Sequence, residues 1–568
     1  MSNVISPGVS VLLARTNLLT PAQIERGIAL ARAENRKIAE IVAQEGWVAE
    51  DVFLKALALA LNLPFVQLGP LDVSTDILEK LPTKAVFQYA VFPFAVHNNI
   101  LQVATNDPFD SGLTDALRLA SNLRVRLALA TTEDIANATK KFYGVGAETV
   151  DRLMQDDRIE VEPQGNLLKM DLNEMDQEAS IVKFVNQIIW EAYEERSTDI
   201  HLEPMESSLR IRYRVDGVLH QTPLPAQLAR FQNAIISRIK VMANMDIAEK
   251  RLPQDGRIGM RIQGEDIDIR VSTMPTVYGE SVSLRLLMRS KEFIGLNQLG
   301  LRPNDVASLR RLIDRPNGII LVTGPTGSGK STSLYAYLHE INTIDQRIIT
   351  VEDPIEYEMA GINQINVRAD IVLTFATALR HILRQDPDVI MIGEVRDFET
   401  AEIAIRASLT GHLVFSTLHT NDAAGAITRL LDMGVEPFLV ASSLEAVVAQ
   451  RLVRKLCPAC RRPAQPDRTI LQSAGFPVAE LDHGRLIYES VGCEKCRNTG
   501  FHGRLGIYEI LFISEKVEPR IIDRSSSHAI KQIAISEGMQ TLREDGWNKV
   551  LDGITTFEEI LRVTEETD

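Results

Sequence analysis

The spacing of apolar residues changes along the chain, and each change predicts a different kind of element. Over the first 145 residues the spacing is mostly helical. Thr20-Pro21-Ala22-Gln23 opens one helix: Thr20 caps, Pro21 suits the first helical position and Gln23 reaches back. Ile24, Ile28 and Ala31 then share a face. A second helix is predicted from Glu50, with Phe53, Ala56, Leu57 and Ala60 at i, i+3, i+4 and i+7. Residues 95–104 alternate enough to predict a strand, and Thr132–Tyr143 predicts another helix. From Gly144 to about Met175 the sequence is polar, acidic and weakly patterned, which reads as a linker over 146–175.

Helical spacing returns over 179–193. Strand-like runs follow at Leu209–Val215, 257–262, 266–271 and 281–287, with a helix over 231–242 between the first two. This predicts a small α+β domain ending near Phe293. From about Leu299 the pattern becomes short aliphatic runs at 319–322, 348–351, Val389–Ile392 and 413–416, each followed by a turn or a helical stretch. That is the pattern of a parallel sheet with crossover helices. A cysteine-bearing insert is expected over roughly 455–505, and a helical tail after it.

Composition narrows the function. The chain has 568 residues, 45% hydrophobic and 24% charged, enough for about four domains. Its formal net charge of −15 makes it a poor default binder of nucleic acid. No apolar run reaches the ~18 residues of a membrane span. Residues 1–15 place no basic residue ahead of their short apolar stretch, so they do not read as a signal peptide. The expected address is the cytoplasm, with any membrane association supplied by a partner.

The chemistry begins at Gly324-Pro325-Thr326-Gly327-Ser328-Gly329-Lys330-Ser331, followed by Thr332. It matches G-x-x-x-x-G-K-[ST] between a predicted strand and a predicted helix. Glycines let the backbone curl its N–H groups toward phosphate, and the helix start adds a positive dipole end. Lys330 suits the β- and γ-phosphates, and Ser331 suits Mg²⁺. Hydrolysis also needs carboxylates. The run at 348–351 ends in Glu352-Asp353-Pro354-Ile355-Glu356, where α/β sheets place ligands. Glu352 is the preferred general base and Glu356 the alternate. Val389–Ile392 ends in Gly393-Glu394, and Glu394 would hold Mg²⁺ or its water; Arg396-Asp397 reads as a structural ion pair. His419, past the run at 413–416, is placed to sense the nucleotide, and His412 less so.

GPTGSGKST, TVEDPIEY, RQDPDVIMIGEVRD and GHLVFSTLHTND, in this order, resemble the Walker A, Asp box, Walker B and His box of the secretion ATPases of the GspE/PilB family. STDIHLEP, RIRYRVDGVLH and RLPQDGR resemble that family's N2 domain. The resemblance implies a RecA-like P-loop NTPase core over 296–568, a PAS-like α+β N2 domain over 176–295 and a helix-rich partner-docking domain over 1–145. It implies ATP and Mg²⁺ as cofactors and a homohexamer. Arg210, Arg212 and Arg214 alternate on one strand face; the resemblance makes Arg212 and Arg214 arginine fingers over the triphosphate. Some family members bind cyclic di-GMP through a paired Arg-Leu-Gly motif. Arg36-Lys37-Ile38-Ala39-Glu40 departs from it and no first copy is visible near 8–14, so that ligand is not expected.

Cys457, Cys460, Cys493 and Cys496 form two C-x₂-C pairs, and the chain has 4 cysteines in all. Each pair can bring two thiolates to one tetrahedral ion, which predicts structural Zn²⁺. The family's metal-binding insert has this arrangement. Arg451, Arg454, Lys455, Arg461 and Arg462 lie nearby in sequence and read as compensation for a dianionic Zn(Cys)₄ centre or as a docking face. The expected protein is therefore a hexameric, cytoplasmic ATPase peripheral to the inner membrane. It would power type II secretion, acting on an inner-membrane platform protein and docked on the cytoplasmic domain of an anchor protein. Type IV pilus extension is the alternative. A RecA-like nucleic-acid motor is less favoured, given the acidic balance.

Overall fold

The computed structural model describes residues 8–34, 36–110, 112–144, 172–288 and 294–564. The expected linker lies outside these residues up to 171, and so does the expected domain end near Phe293. The described residues fall into two compact units, Met1–Met288 and Arg289–Asp568. Among them no helix is long and apolar enough to cross a membrane.

The first unit opens on helices Gly8–Arg15, Pro21–Glu34, Ile38–Gln44 and Glu50–Leu61. The predicted capping box holds: the Thr20 N–H donates to Gln23 Oε1 at 2.9 Å and the Gln23 N–H to Thr20 Oγ1 at 3.3 Å. Helix Glu50–Leu61 buries Phe53, Leu54, Leu57 and Ala58, so its inward face is turned one position from the predicted one. Residues 95–104 are not one strand. They are the facing halves of a hairpin, Phe92–His97 and Ile100–Thr105, around Asn98 and Asn99 at φ +48° and +62°. Two consecutive residues at positive φ make the tight turn that matches strand twist. Strand Arg124–Leu129, not foreseen from the pattern, pairs parallel with the second half.

Helix Leu172–Glu194 begins inside the expected linker. It packs its buried Phe184, Val185, Ile188 and Ile189 on a six-stranded antiparallel sheet. The sheet order is Val218–Gln221, Leu209–Val215, Ser197–Pro204, Gly279–Met288, Glu265–Thr276, Gln254–Ile262. Strand Ser197–Pro204 lies opposite Leu209–Val215, pairing Asp199 with Arg214, His201 with Arg212 and Glu203 with Arg210.

The second unit is built on seven strands: β1 (Gly318–Thr323), β2 (Ile348–Glu352), β3 (Asn363–Asn366), β4 (Val389–Ile392), β5 (Leu413–Leu418), β6 (Leu444–Leu456) and β7 (Phe501–Phe512). The order is β3-β2-β4-β5-β1-β6-β7, parallel throughout except for the β6–β7 pair. Every residue of β1, β4 and β5 is buried, because helices cover both faces and leave no polar side to alternate with. Each fully buried aliphatic side chain contributes about 1.5–3 kcal/mol of transfer free energy, so these strands anchor the unit. The ends of the expected insert are corrected here: 455–456 and 501–505 lie in β6 and β7, strands of the core sheet. The insert is confined to the residues between them, and the helical tail starts at Glu518.

That tail is tied to β6 by one buried carboxylate. Glu559 is 2% exposed and accepts four hydrogen bonds. Two come from the Arg454 backbone and guanidinium at 3.0 and 2.8 Å, and two from Arg562 at 2.9 and 2.6 Å. Arg454 also lies 4.0 Å over the Phe501 ring of β7. Burial alone would raise the Glu559 carboxyl, but the Arg562 and Arg454 hydrogen bonds hold it below its ordinary value. A depressed folded-state value stabilises the fold above the ordinary carboxyl range, and that contribution is lost as pH falls through the folded value. Glu559→Ala is expected to cost about 3–5 kcal/mol by stranding Arg454, read as a drop in urea midpoint at pH 7. Glu559→Gln should flatten the acid limb of the midpoint–pH curve, and an unchanged acid limb would rule this coupling out.

Candidate functional site

The parallel strands end together, and the turns that follow them form the site. Residues 324–329 curl from the end of β1 into helix Lys330–Ile341. Gly324 and Gly329 stand at φ +149° and +90°. A Cβ on Gly324 would lie 2.6 Å from the Gln450 carbonyl and the Ser328 hydroxyl, and one on Gly329 would lie 2.8 Å from Gln450 Nε2. Only glycine fits so tight a curl. Gln450 itself clamps the loop: its Nε2 donates to the Ser328 carbonyl at 2.6 Å, and its Oε1 accepts from the Ser333 hydroxyl at 2.8 Å. The Ser328 hydroxyl is buried and has no partner among the described residues. Pro325, Thr326, Gly327 and Ser331 are exposed around the cradle's mouth, and Thr332 is half-buried.

Lys330 folds over the loop, its Nζ donating to the carbonyls of Gly324 at 2.8 Å and Pro325 at 3.1 Å. Burial pulls its ammonium down to about 8, Glu394 acting against that shift and Arg451 with it. Glu394 follows β4. It accepts from Arg396 on one oxygen and lies 3.3 Å from His419 Nε2 on the other. Lys330, Glu394 and His419 are therefore one electrostatic group. The expected Arg396–Asp397 ion pair is not formed. Arg396 faces Glu394 and, at 3.8 Å, Asp353, while Asp397 caps helix Phe398–Leu409 through the Thr400 N–H at 2.8 Å. His412 Nδ1 donates to the Ala407 carbonyl, 2.8 Å away, and belongs to a helix end.

Glu352 closes β2 beside Gly393, whose N–H donates to Val351 at 2.8 Å. Its carboxylate is buried and takes hydrogen bonds from Thr350 at 2.6 Å, Gln364 at 3.2 Å and Tyr335. Glu356 is exposed, four residues on. Arg451 was read with the cysteines, yet it belongs here: it is buried beyond Gln450 and donates to the Asn421 carbonyl at 2.8 Å. Gln450 and Arg451 were missed as site residues. Their signal was a polar pair ending the aliphatic run of β6.

In the other unit Arg212 and Arg210 are paired with Glu203, the latter at 2.7 Å. Arg214 lies 3.6 Å from Asp199 and donates to the Gly217 carbonyl at 3.0 Å. Burial works to raise Glu203, but Arg212 and Arg210 hold it below its ordinary value.

The four cysteines converge. Their sulfurs all lie within 4.8 Å of one another, with Cys457–Cys493, Cys460–Cys496 and Cys493–Cys496 at 3.9, 3.7 and 3.7 Å. These separations are far from a disulfide and fit the edges of a thiolate tetrahedron with ~2.3 Å metal–sulfur bonds. The Cys496 sulfur accepts N–H groups of Cys493 at 3.1 Å and Gly500 at 3.2 Å. Arg454 and Arg461 do not serve this cluster. Arg454 is held by Glu559, and Arg461 donates to the Gly553 carbonyl under the Tyr488 ring.

Comparison with known proteins gives two family matches, the type II/IV secretion system protein family over residues 174–562 and the MshEN domain over 61–149. The type II secretion system protein E of Xanthomonas campestris pv. campestris is 42% identical, covering 98% of each chain. The type IV pilus assembly ATPase PilB of Myxococcus xanthus is 41% identical, covering 97% of each. Among solved structures, the DotB ATPase of Yersinia pseudotuberculosis superposes with a TM-score of 0.50 at 19% identity, covering 72% of this chain and 98% of that one; it shares the fold.

Gln450→Leu should leave the Ser328 carbonyl buried without its donor, at about 1–3 kcal/mol, and take the Ser333 hydroxyl's acceptor. Hydrogen exchange across 324–333 is expected to speed up while exchange in β4 stays slow. Unchanged protection across the loop would show that it does not need the clamp.

Proposed function

The chain belongs to the type II/IV secretion system protein family and is an ATP hydrolase, and from that premise we propose that it powers type II protein secretion. The observation that carries the reading is the convergence of Lys330, Glu394 and His419 on one glycine cradle at the sheet's carboxyl edge. Residues 324–332 take the triphosphate, with Lys330 leaving its loop carbonyls for the β- and γ-oxygens. Ser331 and Glu394 offer a hydroxyl and a carboxylate, the hard oxygen donors that suit Mg²⁺, and the ion would neutralise phosphate charge there. A carboxylate has about four acceptor sites; protein donors take three on Glu352, and the fourth is assigned to the attacking water. Water attacks the γ-phosphorus, the bond to the ADP oxygen breaks and Glu352 takes the proton. Glu356, exposed at the same turn, is the alternate. His419, against Glu394, reports whether the γ-phosphate is present.

Arg212 and Arg214 are the cations proposed to come over the triphosphate, exchanging Glu203 and Asp199 for phosphate oxygens. Arginine suits this because it is always charged and fork-shaped. The four cysteines hold structural Zn²⁺, which braces the insert. Residues 1–145 dock on the cytoplasmic domain of an inner-membrane anchor. A ring of six, closed by head-to-tail contacts, would turn domain shifts into movement of a platform protein at the inner membrane from the cytoplasmic side. Cyclic di-GMP and nucleic acid are left out of this reading. Type IV pilus extension is the second reading, favoured by the full-length likeness to the Myxococcus relative. Genomic neighbours separate the two: a secretin with pseudopilins for secretion, a major pilin for pilus extension.

Lys330→Ala is expected to lower turnover at least about 100-fold with the circular dichroism spectrum kept; normal phosphate release would refute the site. Phosphate contact should raise the Lys330 ammonium above its free value of about 8. Nucleotide binding then takes up a proton above that pH, so affinity should fall as pH rises past about 8. Calorimetry showing constant affinity from pH 7 to 10 would contradict this. Metal analysis should find about one zinc per chain, lost in the double variant Cys457→Ser, Cys493→Ser; a wild-type chain free of zinc would dismiss the metal.

A further inference from the structure

Tyr335 lies one turn beyond Ser331 on helix Lys330–Ile341, so the two share a face. It is 1% exposed. Its ring meets Tyr357 edge-on with centroids 4.4 Å apart, which fixes its direction. The phenolic O–H donates to Glu352 Oε2, and the same oxygen accepts the Glu356 N–H at 3.2 Å. One atom thus touches both acidic positions of the turn, the side chain of one and the backbone of the other. The other two donors to Glu352 come from elsewhere, Thr350 from β2 itself and Gln364 from β3. Tyr335 alone of the three comes from the helix that the phosphate loop opens.

Packing does not explain the hydroxyl. Phenylalanine would fill the same space without burying a polar group, which costs roughly 1–3 kcal/mol when unpaired. Burial and the neighbouring Glu352 charge both raise the phenol well above its ordinary value, so it stays protonated and remains a donor.

We propose that Tyr335 is a positioning residue for hydrolysis, fixing the Glu352 carboxylate to the helix that carries Ser331. The separation of base and triphosphate is then set by one rigid helix rather than by the 352–356 turn. The inference rests on Glu352 acting as the base, as read above. Small misplacements of reacting groups cost up to about 100-fold in rate.

The test uses the full chain in steady-state ATP hydrolysis. Tyr335→Phe is expected to lower kcat about 10- to 100-fold with KM for ATP within twofold. Combined with Glu352→Gln, it should add no loss beyond that of Glu352→Gln alone. Thr350→Val removes a donor from the strand but keeps the helix link, and its kcat loss should be several-fold smaller than that of Tyr335→Phe. An inactive Glu352→Gln beside a Tyr335→Phe of wild-type kcat overturns the positioning role and leaves the base in place. Equal kcat losses in Thr350→Val and Tyr335→Phe also overturn it, as does a raised KM at unchanged kcat in Tyr335→Phe. Wild-type turnover by Glu352→Gln overturns the base assignment and this inference with it.

Discussion

Gln450 is hydrogen-bonded to the glycine loop at the Ser328 carbonyl and to the helix that follows it at the Ser333 hydroxyl. The site depends on that clamp. A loop with three glycines at positive φ loses more chain entropy on ordering than any ordinary turn. A buried amide on β6 and the Lys330 ammonium tie its carbonyls. From the fixed loop follow the start of helix Lys330–Ile341, the seat of Lys330 and the reach of Tyr335 to the acidic turn. Glu394 and His419 come to the same place from β4 and β5 because parallel strands end on one edge.

Much of this was legible in the residues. The glycine loop, the four short aliphatic runs and the paired cysteines are local patterns, and the structure puts each in the expected kind of place. What escaped was tertiary. Residues 444–456 are rich in Leu, Ala, Glu, Gln, Arg and Lys, all good helix formers. They extend because β1 on one side and β7 on the other offer ladders that override propensity. The alternation over 95–104 was real, but two asparagines at its centre turn the chain back on itself. The three donors around Glu352 come from β2, β3 and a helix, and no short window of sequence holds them together. The basic residues beside the cysteines misled for the same reason, since their partners Glu559, Gly553 and Asn421 lie 30 or more residues away.

Charge is handled in two ways. On the antiparallel sheet, Arg214 lies 3.6 Å from the buried Asp199, while Arg210 and Arg212 share the partly exposed Glu203. The Glu203 pairs are cheap to exchange. Other ion pairs are buried, at Glu559 with Arg454 and at Glu509 with Lys531, 3.4 Å apart, in the second unit and at Lys240 with Glu280 in the first. Those are costly to break. The first arrangement suits cations that change partners, the second a body that keeps its shape.

β6 has one more consequence. Its early residues lie beside β1, Gln450 grips the glycine loop, and its last residue precedes the first thiolate. From Gln450 to Cys457 the extended chain covers about 23 Å, paired with β7 up to Arg454 and again at Leu456 after a register shift. A stretched ribbon paired to a neighbour does not shorten under load as a coil would. The clamp on the glycine loop and the first cysteine are thus held by one stretch of paired backbone, and neither can move along it without disturbing the same ladder.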